Sequence, residues 1–268
     1  MYKLAILEEK EINIIKLLSK KEYQDLLVHM KTINAFYKDY KRLTIVKESH
    51  DLFEKLIESY IKAEISYQRF ADDVNVNILK YLASFKSFLD HWETHINRLY
   101  GKKSAEYDTF KKATAVEFDG HFSYRFIYEL RNYTLHCDMP VSNVASKFDE
   151  HDNHIVDIMI NRDRLLKTYK WPKKVGLESM TENFDIREQM KEALECLVRI
   201  HQVAINLCDT EKLYKSALAV YKLRVDYPGK GTYGIIKFPH DNLRTPKSVE
   251  AIPVSIAEAL LKIFVKSN

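Results

Sequence analysis

Apolar residues recur at three- and four-residue steps along most of this chain, the spacing of one face of an α-helix. The strictest run lies in 74–100, where Ile78, Leu82, Phe85, Leu89, Trp92, Ile96 and Leu99 are spaced 4, 3, 4, 3, 4, 3. That seam predicts a helix packed closely along a neighbour, and Gly101 is a fitting residue to end it. Residues 5–41 read as two helices, the second with Tyr23, Leu26, Leu27, Met30, Ile33, Tyr37 and Tyr40 on one face. Residues 43–47 read as a short strand or a connector, and 50–67 returns to helical spacing. A short helix over 104–117 follows, then one over 121–137, ended by Pro140.

At 141–160 the period changes. Two β-prone stretches, 141–148 and 154–160, flank a polar run from Asp149 to Asn153. They predict a hairpin with Val156, Ile158 and Ile160 on one face. A short helix over 161–170 closes on Trp171 and Pro172. Long amphipathic spacing resumes over 183–207, with another helix at 210–225, and 226–268 is less regular. The chain is therefore expected to be mainly α, a helical bundle with a small β-hairpin insertion. It divides into a helical region over 1–70, a helical core over 71–208 and a basic region over 209–268, or forms one compact unit.

Composition supports the helical reading. Gly and Pro number six each in 268 residues, far below the roughly 12% usual for the pair. So few breakers argue against a sandwich, barrel or propeller. The net charge is only +4, which excludes a polybasic or acidic tail but not a local basic groove. The excess lies at the end: 209–268 holds ten Lys and Arg against six Asp and Glu. Cys137, Cys196 and Cys208 lack zinc or disulfide spacing. Glu8, Glu9 and Glu11 break any signal-peptide apolar run, and no stretch approaches a membrane span. A cytoplasmic protein without a membrane segment is expected.

Several constellations compete for function. Gly229-Lys230-Gly231-Thr232-Tyr233-Gly234 matches GxGxxG, but the dinucleotide fingerprint needs a strand before it and a helix after it. Here strand-like residues follow, so a loop leading into a strand is the better reading. His91 and His95 lie four apart on one helix face. They lack the glutamate placement of HExxH, and a third ligand would have to come from His151, His154 or elsewhere, so no metal site is expected. They read as a polar helix flank beside the seam, or else Asp90, His91 or His95 borders a polar site. Seventeen tyrosines can stack bases, but more often edge a core.

The helix 121–137 is more informative. Phe126, Ile127, Leu130, Tyr133, Thr134 and Cys137 fall on one side, the expected core face. Arg125, Tyr128, Asn132 and His136 fall on the other. Asn132 and His136 lie one above the other, and Arg131 flanks them. A permanent cation, an amide and an imidazole on one turn suit an anion such as a phosphate. An exposed helix face with ordinary polar residues is the plain alternative.

Arg131-Asn132-Tyr133-Thr134-Leu135-His136 resembles the R-polar-xxx-H motif of HEPN (higher eukaryote and prokaryote nucleotide-binding) domains. The wider stretch from Tyr124 to Val141, with Ser87-Phe88-Leu89-Asp90-His91 upstream, is similar to a signature of uncharacterised bacterial proteins. The likeness covers about 75–170; 1–70 and 210–268 carry no matching motif. It implies a HEPN-like helical bundle and a metal-independent endoribonuclease of toxin–antitoxin or phage-defence type, needing no cofactor. By that likeness Arg131 and His136 are catalytic, with Asn132, Tyr128, Arg125 and Asp90 supporting. One motif supplies one imidazole, so a homodimer is implied, with RNA as substrate and an antitoxin protein as a partner. The alternative is a non-catalytic helical module that binds a nucleotide, RNA or a protein, or a structural adaptor using the seam.

Overall fold

No glycine or proline interrupts the chain between Lys20 and Ile61, and those 42 residues form one continuous helix. The computed structural model describes residues 1–9, 11–239 and 246–266. In chain order the elements are β1 (Tyr2–Leu7), β2 (Ile12–Leu18), α1 (Lys20–Ile61), α2 (Tyr67–Tyr100), α3 (Ala105–Gly120), α4 (Phe122–His136), β3 (Asn143–Phe148) and β4 (His154–Asn161). Then come α5 (Arg162–Thr168), β5 (Asn183–Asp185), α6 (Ile186–Asn206), α7 (Thr210–Asp226), β6 (Thr232–Lys237), β7 (Ser248–Ala251) and α8 (Val254–Lys266). The mainly helical expectation holds. No helix among the described residues is long and apolar enough to cross a membrane.

Two expectations near the start are corrected. Residues 2–7 and 12–18 are not helical: β1 and β2 pair antiparallel in a hairpin. Short apolar runs such as Leu4-Ala5-Ile6 fit either period, and here the strand partner comes from far along the chain. The stretch 43–47 is neither strand nor connector but the middle of α1. Leu43 and Val46 are buried three residues apart, and the small helix penalty of β-branched Thr44, Ile45 and Val46 is overridden by packing. Ser19 and Glu22 start α1 as a capping box: Glu22 N donates to Ser19 Oγ at 3.2 Å and Ser19 N to Glu22 Oε2 at 2.8 Å.

The chain forms two compact units, residues 1–38 with 209–268, and residues 39–208. The first joins the two chain ends, because β1 also pairs antiparallel with β6, giving the sheet order β2-β1-β6-β7. The glycine-rich run turns into β6, a loop entering a strand. Its glycines serve close packing: a Cβ on Gly231 would lie 2.5 Å from the Leu7 carbonyl oxygen, and one on Gly229 would lie 2.5 Å from Ile6 Cδ1.

The second unit is built around α2. Ile78, Leu82, Phe85, Leu89, Trp92 and Ile96 are buried as the seam predicts, while Leu99 at its end is exposed. Phe70, Val74, Tyr81, Phe88 and His95 are buried as well. The covered face is thus wider than a two-helix seam, because α3, α4 and α6 all pack on α2. Phe85 meets Tyr124 ring to ring at 5.4 Å, and Val141 N meets Asn75 Oδ1 at 3.5 Å. The chain running on from Tyr124 therefore travels back along α2, the antiparallel sense. The hairpin forms as β3 and β4, with Val156, Ile158 and Ile160 buried. The expected start of the next helix at 183 is taken instead by β5, a third strand on β4, and Asp185 caps α6.

His201 on α6 sits among aromatic rings, with centroids 5.2 Å from Tyr40, 5.8 Å from Phe88 and 5.5 Å from Trp92. Burial first, and nearby Lys47 second, push its pKa down from 6.5 to about 4. Between those pH values the unfolded chain holds the extra proton, so stability falls as pH drops from 6.5 to 4. Up to about 3 kcal/mol is lost across that window. Urea midpoints measured against pH should show this limb in the wild type and a flatter one in His201→Leu. Equal slopes in the two proteins would refute it.

Candidate functional site at the end of helix α4

The core face of α4 is set by Phe126, Ile127, Leu130 and Tyr133, all buried. Thr134 is only half-buried and Cys137 is exposed, against the sequence expectation for both. The cause is local: the helix stops at His136, and Cys137 leaves helical geometry with φ −125° and ψ −75°. Arg164 on α5 holds the chain just beyond, its Nη2 donating to the carbonyls of Met139 and, at 3.0 Å, of Pro140. The end of α4 is thus pinned, with His136 exposed on its last turn.

The sequence-selected residues fall into three groups. The side chains of Arg131, half-buried, and His136, exposed, make no hydrogen bond or ion pair with any other described residue. Asn132 is engaged: its Nδ2 donates to Glu129 Oε2 at 3.3 Å, while Tyr169 OH donates to Glu129 Oε1 at 2.6 Å. That carboxylate pushes the Tyr169 hydroxyl up to about 12, so Tyr169 remains a donor. Tyr128 and Asp90 belong to a neighbouring patch centred on Lys86, whose ammonium bonds Asp90 and lies 5.5 Å above the Tyr128 ring. Arg125 faces elsewhere. Its guanidinium donates to the carbonyls of Phe118 at 2.6 Å, Asp119 at 3.0 Å and Val175 at 3.4 Å, satisfying the last turn of α3. Glu129, Tyr169 and Arg164 were not singled out from the sequence. Glu129, two residues before the motif on its own helix and one turn before Asn132, was the one within reach of such reasoning.

The histidines considered as ligands are dispersed. His95 Nδ1 lies 2.9 Å from Asp39 Oδ2, and His91 Nδ1 lies 3.5 Å from Asp39 Oδ1. His154 bonds Ser146 across the hairpin, and His151 sits in its turn. Among the described residues, one group of three metal-ligand types does come together, Glu117, His121 and Cys196.

Chemically, the end of α4 offers a fixed cation, a free imidazole and an amide positioned by a carboxylate. Compared with models of protein families, with curated proteins and with solved structures, the chain matches none.

Proposed function

We propose that the end of α4 is a HEPN-like ribonuclease site, acting on RNA without a metal, in a toxin–antitoxin or phage-defence setting. The observation that carries this reading is selective. On a helix where Arg125, Glu129 and Asn132 are all engaged within the chain, the side chains of Arg131 and His136 are left without partners among the described residues, at an accessible end. Unpaired groups of this kind are available to a substrate.

The chemistry follows from the two groups. The substrate's 2′-oxygen attacks the adjacent phosphorus and gives up its proton to an imidazole, a contribution of roughly 10²–10⁴ in rate. The P–O5′ bond breaks, and the departing 5′-oxygen takes a proton from a second imidazole. The products are a 2′,3′-cyclic phosphate and a 5′-hydroxyl. Arg131 donates in a planar fork to the phosphorane-like charge, worth on the order of 3 kcal/mol. Each chain has one His136, so the second imidazole comes from a second copy in a homodimer. An antitoxin protein would act by covering this site.

Single-stranded RNA incubated with the full chain in EDTA between pH 6 and 8 should be cut to those ends. If RNA stays intact throughout that range after any co-purifying protein is removed, the site is a non-catalytic binding module instead.

A further inference from the structure

At the opposite end of α4, the first residue after α3 brings a second constellation together, independent of the proposed ribonuclease site. Glu117 on α3, His121 between α3 and α4, and Cys196 on α6 place one ligand atom each within 4.8 Å of the others. One nitrogen, Arg199 Nη2, touches all three: Glu117 Oε2 at 2.6 Å, His121 Nε2 at 3.1 Å and Cys196 Sγ at 3.2 Å. That nitrogen carries two protons for three neighbours, Nε of the same guanidinium donates to Glu117 Oε1 at 2.8 Å, and the Cys196 thiol also bonds the Glu117 carboxylate. A divalent cation at the same point would meet all three ligand atoms at once. The surroundings are also those of a metal-bound histidine. His121 Nδ1 faces Glu192 Oε1 at 2.8 Å. The other Glu192 oxygen is bonded by Ser123, which also reaches Gln189 Oε1 at 2.6 Å. A carboxylate on Nδ1 fixes the tautomer that leaves Nε2 free for a metal.

We propose that Glu117, His121 and Cys196 form a three-ligand site for zinc or a similar divalent ion, and that Arg199 holds its centre when the metal is absent. Two buried donors, Glu117 and Cys196, and a part-exposed His121 make a carboxylate–imidazole–thiolate set with one position open to water. The ligands need to close in from their present spacing about Nη2 to roughly 2.0–2.3 Å. Arg199 is half-exposed, with 47% of its side chain accessible, so it can swing out into solvent. On binding, the metal–sulfur bond forms as the Cys196 S–H proton leaves to solvent, and the Arg199–Glu117 ion pair breaks. The dication, the carboxylate and the thiolate then sum to zero charge. Resting on Arg199, the metal-free chain stays folded, so chelation is not expected to abolish RNA cleavage at the other end of α4.

The test is titration of the chelator-stripped full chain with Co²⁺, followed by competition with Zn²⁺. A sulfur-to-cobalt charge-transfer band with tetrahedral visible bands is expected, and zinc should erase it. Arg199→Ala should bind tighter, and zinc should raise its melting temperature more than that of the wild type, which also guards against misfolding. Cys196→Ser should lose the charge-transfer band, and Glu192→Gln should weaken binding by roughly 10–100-fold. Absence of the band in both wild type and Arg199→Ala overturns the proposal, as does a band that survives in Cys196→Ser. Unchanged affinity in Arg199→Ala overturns the role given to Arg199.

Discussion

His136→Ala is expected to remove RNA cleavage, with a loss on the order of 10²–10⁴ in rate for the missing proton-transfer group, while the fold is unaffected. The imidazole is exposed and bonds to no other described residue, so its removal should change stability by no more than about 0.5 kcal/mol. Those two readouts together separate a chemical role from a structural one. Arg131→Lys is the companion experiment. Lysine keeps the charge but not the planar pair of donors, so it should recover little of the activity lost in Arg131→Ala. Cleavage rates on a labelled single-stranded RNA, with urea midpoints for each variant, decide the matter. Wild-type rates in His136→Ala would end the assignment of that residue. Full rescue by lysine would mean that Arg131 contributes charge alone.

Phe126→Ala is expected to give the largest loss of stability, about 3–5 kcal/mol. Phe126 is fully buried, and three rings surround it: Phe122 at 5.5 Å and Trp171 at 5.7 Å stacked, and Phe184 at 5.3 Å edge-on. Those rings come from α4 itself, from the segment after α5 and from β5. No single side chain can collapse into the space left, so the cavity cost adds to the transfer cost. Leu130→Ala, also fully buried on the same helix, should lose roughly 2–5 kcal/mol. Leu135→Ala, at 57% exposure, should lie within about 0.5 kcal/mol of wild type. Denaturant midpoints in one buffer give the ranking. Phe126→Ala matching Leu135→Ala would show that α4 does not hold this core.

Much of the second unit could be read from spacing. The stripe of α2, the boundaries of α3 and α4, the hairpin of β3 and β4, and the motif Arg131 to His136 are all local patterns. In each, the residues that matter lie within a few turns of one another, and the period alone sorts buried from exposed. Leu99 and Cys137 mark where this fails: both continue a periodic face past the point where the neighbouring structure stops covering it.

The sequence by itself determined that the chain would be mainly helical and that Phe126, Ile127, Leu130 and Tyr133 of α4 would face inward, because amphipathic period and breaker content are properties of adjacent residues. Only the tertiary structure decided that residues 2–7 are a strand, since β1 exists by pairing with 232–237 at the far end of the chain. It also decided which polar side chains stay free. Arg125 and Arg131 look alike in the sequence, yet Arg125 is consumed by carbonyls of α3 and of Val175, while the Arg131 guanidinium has no partner among the described residues. The meeting of Glu117 and His121 with Cys196 and Arg199 belongs to the same class. Those partners lie 78 and 82 residues apart along the chain, and no periodicity reports a contact that packing of α3 against α6 creates.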